Sequence, residues 1–405
     1  MRLALVCRQI GHYHDARFRA AAERFEALTI VSTANEGGFS EFLARETGGY
    51  GVRRLFPDRA AFRRAVAEGA MPAAVRRELD DIRPDAVAVG GWIAPESLSA
   101  IRWARRRGVG VILMSDSQAF DAARKPLRER MKARIVRQCD AALVAGPTHR
   151  DYVLSLGMPM SRIQLGYDVI DNAHFAAGAD AARADEAAQR RALGLPSRYV
   201  LASARFIAKK NLPRLVEAYG LALALNAGDG PDLVILGDGP DRPDLEALIT
   251  RSGLGGRVHL PGFRGYDALP AFYGLAEAFA HVSTVEQWGL VINEAMASGV
   301  PVLVSKPCGA AALVQHGASG LLVDPHSPQD IAQALARLFR LSPQERGAMG
   351  RAGRKAIARW GPDRFADSLR AAAETAVAAS RGRGMAPWDE ALLGYLSRKL
   401  VEDVA

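Results

Sequence analysis

Eleven short apolar runs, each separated from the next by a segment long enough for a helix, constrain this chain more than any other feature. In the first half the runs are RLALVC, LTIVST, DAVAVGG, VGVILMSD and DAALVAG. In the second half they are RYVLASA, PDLVILGDG, RVHLPG, AFAHVS, VPVLVS and GLLVDP. Strands joined by helix-length crossovers lie parallel, because a crossover returns the chain to the same edge direction whereas a hairpin reverses it. Many of the runs are apolar without alternation, the pattern of strands covered on both faces. Between the two sets, Asp171–Arg198 is alanine-rich and charged and holds no strand, so the domain junction is placed there. The expected architecture is α/β: two Rossmann-like doubly wound domains, residues 1–170 and 171–384, facing each other across a cleft. A chain of 405 residues gives each of them enough length for its own core.

Composition narrows the class of partner. Hydrophobic residues at 49% and charged residues at 24% are ordinary for a globular protein. No apolar run approaches the roughly 18 residues of a membrane span. The apolar part of MRLALVCRQIGHYH is too short for a secretory signal and reads as a first strand. Cys7, Cys139 and Cys308 are far apart and form no CxxC pair, which points to reduced thiols in a cytoplasmic protein. A net charge of +9 raises nucleic acid or an anionic membrane as partners. Of the 53 basic residues 46 are arginine, however, and alanine is abundant throughout, so the charge reflects a coding bias more than a patch. No basic tail and no basic run interleaved with aromatics is present, and no nucleic-acid partner is expected.

The most informative stretch is STVEQWGLVINEAMASGVPVLVS, Ser283–Ser305. Leu290–Ser298 reads as a short helix, with Gly299 as its C-terminal stop. Leu290, Val291, Ile292, Ala295, Met296 and Ala297 leave it almost no polar face, so the helix is buried. Glu294 therefore needs a buried partner or a ligand, since an isolated buried carboxylate is costly. Gly289 leaves the N-terminus of the helix bare, with free N–H groups and the positive end of the dipole. A phosphate at that terminus, with a hydroxyl-bearing ring beside Glu294, would describe a nucleotide sugar.

The E-x7-E spacing of Glu286 and Glu294, followed by GVPV, resembles the retaining glycosyltransferases of the GT-B fold, the large group called family 4 or glycosyl transferases group 1. Three further segments agree with that group in order and spacing: ARFIAKKN, LVILGDGPDRPDLEALI, and VHLPGF with LPAFYGLAEAFAHVS. The resemblance is close from Tyr199 to about Asp330. The first half matches by architecture, apart from GYDVIDNAHF, which looks like the group's interdomain hinge. The resemblance implies that Arg205 and Lys210 bind the donor diphosphate and that Gly289 and Leu290 offer it backbone N–H groups. Glu294 would hold the ribose, Glu286 the hydroxyls of the transferred sugar, and Gly237 and Phe263 would lie at the phosphate turn and beside the nucleobase. It also implies a UDP-hexose donor, a hydroxyl acceptor, no cofactor and no metal ion, and a C-terminal helix, about 385–405, packed back on the first domain. Each residue has a plainer reading as well. Arg205 and Lys210 can cap or solvate a helix start, and Glu286 can be a surface loop residue. The Gly237-Asp238-Gly239 turn lacks the spacing of a dinucleotide fingerprint, so NAD is not expected.

In the first half, the turn after the opening strand carries Gly11, His12, Tyr13, His14 and Asp15 where the group is usually glycine-rich. One reading is acceptor recognition; the other is a helix cap at Asp15 or nearby. Asp116, in MSDSQ, reads as a hydrogen-bond acceptor in the cleft or as the cap of the next helix. Trp92 reads as a sugar-stacking platform or as core. Arg124–Gln138 reads as a helix with an apolar stripe, Leu127, Met131 and Ile135, and seven basic residues. Packing of the stripe on the sheet is favoured; electrostatic contact with the inner face of an anionic membrane is the alternative. Two rivals to a transferase stay open: a sugar-nucleotide epimerase or hydrolase of the same fold, and a non-catalytic nucleotide-sugar binder.

Overall fold

The computed structural model describes residues 1–34, 48–380 and 384–399. It divides into two compact units, Met1–Val169 with Gly361–Ala405, and Ile170–Trp360.

Among the described residues the first unit contains seven parallel strands: β1 (Arg2–Cys7), β2 (Ala27–Ser32), β3 (Gly51–Arg54), β4 (Ala86–Gly90), β5 (Gly110–Ser115), β6 (Ala141–Val144) and β7 (Ile163–Leu165). Their order in the sheet is β3-β2-β1-β4-β5-β6-β7. The second unit has six: β8 (Tyr199–Ser203), β9 (Asp232–Leu236), β10 (Val258–Gly262), β11 (Ala278–His281), β12 (Val302–Ser305) and β13 (Gly320–Val323). These are ordered β10-β9-β8-β11-β12-β13. Both sheets reverse their order once, between β1 and β4 and between β8 and β11. Such a switch point leaves a crevice at the carboxyl ends of the two strands, because the crossovers on either side run in opposite directions.

All eleven apolar runs contain strands. The two strands without such a run, β3 and β7, lie at the sheet's edges. An edge strand needs cover on one side only, and β3 (GVRR) is largely exposed.

The first domain boundary, expected after residue 170, lies at Val169/Ile170. The alanine-rich segment beyond it is no linker. It forms two helices of the second unit, Asn172–Ala184 and Glu186–Leu193. The first of these presses on the Leu269–Gly274 helix so closely that a Cβ on Gly178 would stand 2.6 Å from Pro270 Cβ.

The other boundary needs correction. The chain re-enters the first unit at Gly361, not near residue 385, and the Pro362–Ser380 helix belongs there. Much of its buried face is small: beside Phe365 and Leu369, Ala366, Ala372, Ala373 and Ala376 bring its backbone down onto the sheet, where a Cβ on Gly110 of β5 would meet Ala376 at 2.8 Å. Phe365 of the same helix packs against Phe18 and Tyr167. A last helix, Pro387–Leu396, buries Leu393 in the same unit's core. The end of the expected terminal segment, residues 400–405, lies outside the described residues. Among the described residues no helix is long and apolar enough to cross a membrane.

Candidate functional site

The switch point of the second unit carries the two loops that hold Arg205, Lys210 and Glu286. β8 ends at Ser203 and runs into Ala204–Asn211, which carries Arg205 and Lys210. β11 ends at His281 and runs into the loop that carries Glu286. The two loops are fastened together. Thr284 N–H donates to Lys209 O at 2.9 Å. Asn211 Nδ2 donates to Val282 O at 2.9 Å and to Pro325 O at 2.8 Å. Asn211 has φ 60°, a left-handed conformation that asparagine tolerates better than most residues, and it caps the Leu212–Leu225 helix.

The result is an ion pair between residues 76 positions apart, Lys210 Nζ and Glu286 Oε2. His281 Nε2 lies 3.0 Å from that same carboxylate oxygen and Ser283 Oγ 3.4 Å from it. Burial on its own would raise the Glu286 carboxyl, but the hydrogen bond and charge of His281, joined by those of Lys210, hold it well below the ordinary carboxylate range. Glu286 is therefore an anion at neutral pH. Arg205 is half-buried, and among the described residues its guanidinium has no ion-pair partner. Two cations thus lie on the one loop that follows β8, and Lys210 is held by a carboxylate that an incoming anion would have to displace.

Glycines let the backbone close around these loops. Gly237 (φ +116°) and Gly239 (φ +158°) fold the turn after β9 against the Arg205 loop. A Cβ on Gly237 would stand 2.0 Å from Ala204 O, and one on Gly239 2.4 Å from Phe206 O. Gly237→Ala is therefore expected to lower stability by more than the roughly 1–2 kcal/mol of the left-handed conformation alone, and to displace Arg205. Thermal melting with and without nucleotide checks this; an unchanged melting temperature would refute it. Phe263 follows β10 and is half-buried, and the bond from Gly237 N–H to Gly262 O, at 3.1 Å, brings its loop beside the glycine turn.

The helix after the Glu286 loop spans Leu290–Ala297 with Gly289 at its N-cap, φ 95°, and no side-chain cap. A Cβ there would crowd Cys308 Sγ at 2.9 Å and Glu286 Cγ at 3.2 Å. Trp288 fixes the turn: its Nε1–H donates to Asn293 Oδ1 at 3.1 Å, its carbonyl accepts from Cys308 at 2.8 Å, and its ring stacks on Trp360 at 5.7 Å. Glu294 is completely buried and accepts a 2.6 Å hydrogen bond from the Tyr273 hydroxyl. Of the two needs foreseen for it, the structure supplies the buried partner.

The first unit answers its open readings differently. The helix starts at His12, with Gly11 as N-cap, so Asp15 is not the cap. His14 Nδ1 accepts from Gly11 N–H at 3.1 Å, and burial, with Arg17 nearby, holds its imidazole well below the ordinary histidine range. Asp15 is buried between Arg19 (3.0 Å) and the Tyr50 hydroxyl (2.6 Å). His14 and Asp15 are spent on the helix, while His12 and Tyr13 remain half-buried on its first turn.

Asp116 follows β5, and the next helix begins at Pro126 with Lys125 as its cap, so Asp116 caps nothing there. Its charge acts on buried Asp168, which burial and then Asp116 push up to about 7 against the pull of Arg17. Trp92 is 4% exposed and packs edge-on against Tyr152 at 5.9 Å, so its ring offers no face for stacking a sugar. The expected apolar stripe also fails in part. Ile135 is buried, but Leu127 is 74% exposed.

His281, Ser283, Asn211, Tyr273 and Trp288 were not foreseen as site residues. His281 carried a legible signal: an imidazole ending an otherwise apolar strand, five residues before Glu286.

Comparison with known proteins bears on the family and the fold. The pattern of the Glycosyl transferases group 1 family matches residues 185–356, and that of the Glycosyl transferase 4-like domain matches residues 13–167. A GDP-mannose-dependent α-(1-6)-phosphatidylinositol monomannoside mannosyltransferase of Mycobacterium tuberculosis is 35% identical over 178 residues, 42% of this chain and 46% of the relative. The α-D-kanosaminyltransferase of Streptomyces kanamyceticus is 30% identical over 223 residues, 54% of this chain and 56% of the relative. The chain thus spans about half the length of the curated relatives it matches. The crystal structure of Anabaena HepE in complex with UDP superposes with a TM-score of 0.71 at 18% identity, covering 91% of this chain and 98% of that one, a likeness of fold. With a family match on each half and the two Rossmann-like sheets of that fold, the chain belongs to the GT-B glycosyltransferases of the group 1 type, family 4.

Proposed function

We propose that the chain transfers a hexosyl group from a nucleoside-diphosphate sugar, UDP-hexose in the first instance, to a hydroxyl acceptor with retention of anomeric configuration. The observation that supports this reading is the Lys210–Glu286 ion pair at the switch point of one sheet, with the bare N-terminus of the Leu290–Ala297 helix against Glu286 and Arg205 on the same loop as Lys210. In this scheme the diphosphate lies on Arg205, Lys210 and the N–H groups of Gly289 and Leu290, Glu294 holds the ribose, and Glu286 holds sugar hydroxyls. The bond from the anomeric carbon to the β-phosphate oxygen breaks. The acceptor oxygen bonds to the same face of that carbon, and its proton passes to the departing phosphate. The two cations and the helix dipole stabilise the charge that develops there, and no cofactor or metal ion enters the scheme.

A screen of UDP-, GDP- and ADP-sugars against hydroxyl acceptors tests it. Donor consumption that depends on acceptor supports transfer. Donor conversion without acceptor would mark an epimerase or hydrolase, and a thermal shift without turnover a binder. Preference for a GDP-sugar would overturn the choice of base.

The acceptor is proposed to be lipid-linked, with the protein in the cytoplasm and peripheral to an anionic membrane. The Pro126–Val136 helix and the residues beside it expose Lys125, Arg128, Arg130, Arg134 and Arg137 around Leu127. Arg134 pairs with Asp389 at 3.1 Å, which sets beside it the start of the last helix, where Trp388 is 78% exposed. Each basic group near an anionic surface contributes about 1 kcal/mol, and Leu127 and Trp388 can add apolar contact. Sedimentation with phosphatidylserine vesicles is expected to capture the protein at low salt, to release most of it at high salt, and to fail with neutral vesicles. No capture by anionic vesicles at low salt would leave a soluble acceptor.

A further inference from the structure

The site contains a buried imidazole to which the scheme above gives no task. His281 ends β11 after Ala278, Phe279 and Ala280, and it is buried. An apolar side chain would fill that position without a desolvation penalty. Instead Nε2 lies 3.0 Å from Glu286 Oε2 and 3.1 Å from Ser283 Oγ. Lys210 meets the same Oε2. With its proton on Nε2, the imidazole donates to Glu286 in either its neutral or its charged form.

Lys210 faces two anions once a diphosphate arrives: the Glu286 carboxylate with which it pairs, and the phosphate. A buried carboxylate gives up a counter-charge reluctantly unless other donors remain. We propose that His281 is a positioning residue that keeps Glu286 oriented and hydrogen-bonded while Lys210 passes from Glu286 to the donor diphosphate. Ser283, whose carbonyl is fixed by Ser305 Oγ at 2.7 Å, assists from the same loop. The proposal rests on the diphosphate role assigned to Lys210. It adds that the Lys210–Glu286 ion pair opens when the diphosphate binds, and that His281 sets how easily it does so.

A double-mutant cycle tests this, with calorimetry of UDP and GDP for binding and steady-state kinetics for turnover. His281→Leu is expected to weaken binding of the preferred nucleoside diphosphate about tenfold, because Glu286 then retains Lys210. Adding Glu286→Gln is expected to restore that affinity, since nothing is left to retain the lysine, while turnover stays low. His281→Gln, which keeps an N–H donor at a similar reach, is expected to bind within about threefold of wild type, and it carries the test should the leucine variant fold poorly. A general packing defect at His281 would not be rescued by changing Glu286. The proposal is overturned if His281→Leu binds and turns over as wild type does, if Glu286→Gln fails to restore its binding, or if His281→Gln is as weak as the leucine variant. If Lys210→Ala binds the nucleotide as wild type does, the diphosphate reading itself fails, and the cycle identifies that failure separately.

Discussion

Replacing Lys210 by alanine is expected to lower kcat/KM more than tenfold, equivalent to about 1.4 kcal/mol or more of transition-state stabilisation. The negative charge on the departing diphosphate grows as the glycosidic bond breaks, so an ammonium fixed beside it gains more in the transition state than in the ground state. The fixing is visible: the Lys210 loop is tied to the Glu286 loop through Thr284 and Asn211, and the glycine turn at Gly237–Gly239 presses on its other end. Arg205 is expected to act on the same diphosphate. The double variant should therefore lose much less than the sum of the two single losses expressed as free energies. Kinetics at donor concentrations below KM isolate the effect. Near-normal kcat/KM for Lys210→Ala would remove both cations from the mechanism, because the assignment of Arg205 leans on its spacing from Lys210. Lys210→Ala also deprives Glu286 of a partner, so a fall in melting temperature is expected alongside and has to be measured to keep stability and catalysis apart.

The second half was legible because its elements and the residues singled out in it sit inside strong local patterns. The buried Leu290–Ala297 helix announced itself by an unbroken apolar face, and a glutamate within it demanded an explanation. Arg205 and Lys210 stood before a helix start that the structure places at Leu212. What the sequence withheld there was partnership. Nothing local says that Lys210 and Glu286 touch, because their meeting depends on β8 and β11 being neighbours at the point where the strand order reverses.

The first half was harder because its polar residues have two uses and spacing does not choose between them. His14 and Asp15 look like cleft residues in a list, yet one closes a helix cap and the other is sealed by Arg19 and Tyr50. Tyr50 is 35 positions from Asp15, beyond any local pattern. Trp92 could be assigned to the core only once Tyr152 was known to lie against it. The re-entry of the chain at Gly361 was missed for a related reason. The Pro362–Ser380 helix docks through alanines, and a small-residue face reads as a surface until the glycine opposite it, Gly110, is seen.

Glu294→Gln is expected to weaken binding of the free nucleoside diphosphate about tenfold, whereas Glu286→Gln leaves it intact or tighter and lowers turnover. The distinction follows from what each carboxylate would touch. Glu294 is assigned to the ribose, which UDP keeps; Glu286 is assigned to the transferred sugar, which UDP lacks. The structure adds a control that separates ligand contact from scaffold. Glu294 is wholly buried and receives the Tyr273 hydroxyl at 2.6 Å, so glutamine there also weakens an internal hydrogen bond, worth roughly 1.5–3 kcal/mol when the acceptor is charged. Tyr273→Phe removes that same bond while leaving the carboxylate in place. If Glu294 serves the ribose, Tyr273→Phe lowers the melting temperature yet binds UDP within a few-fold of wild type, and Glu294→Gln loses affinity as well as stability. If Glu294 is purely a scaffold residue, the two variants lose nucleotide affinity alike. Calorimetry with UDP and GDP on the three variants, paired with thermal melts, decides. Equal losses of nucleotide affinity in Glu286→Gln and Glu294→Gln would sink the division of labour, since a residue that meets only the sugar has no hold on a ligand without one.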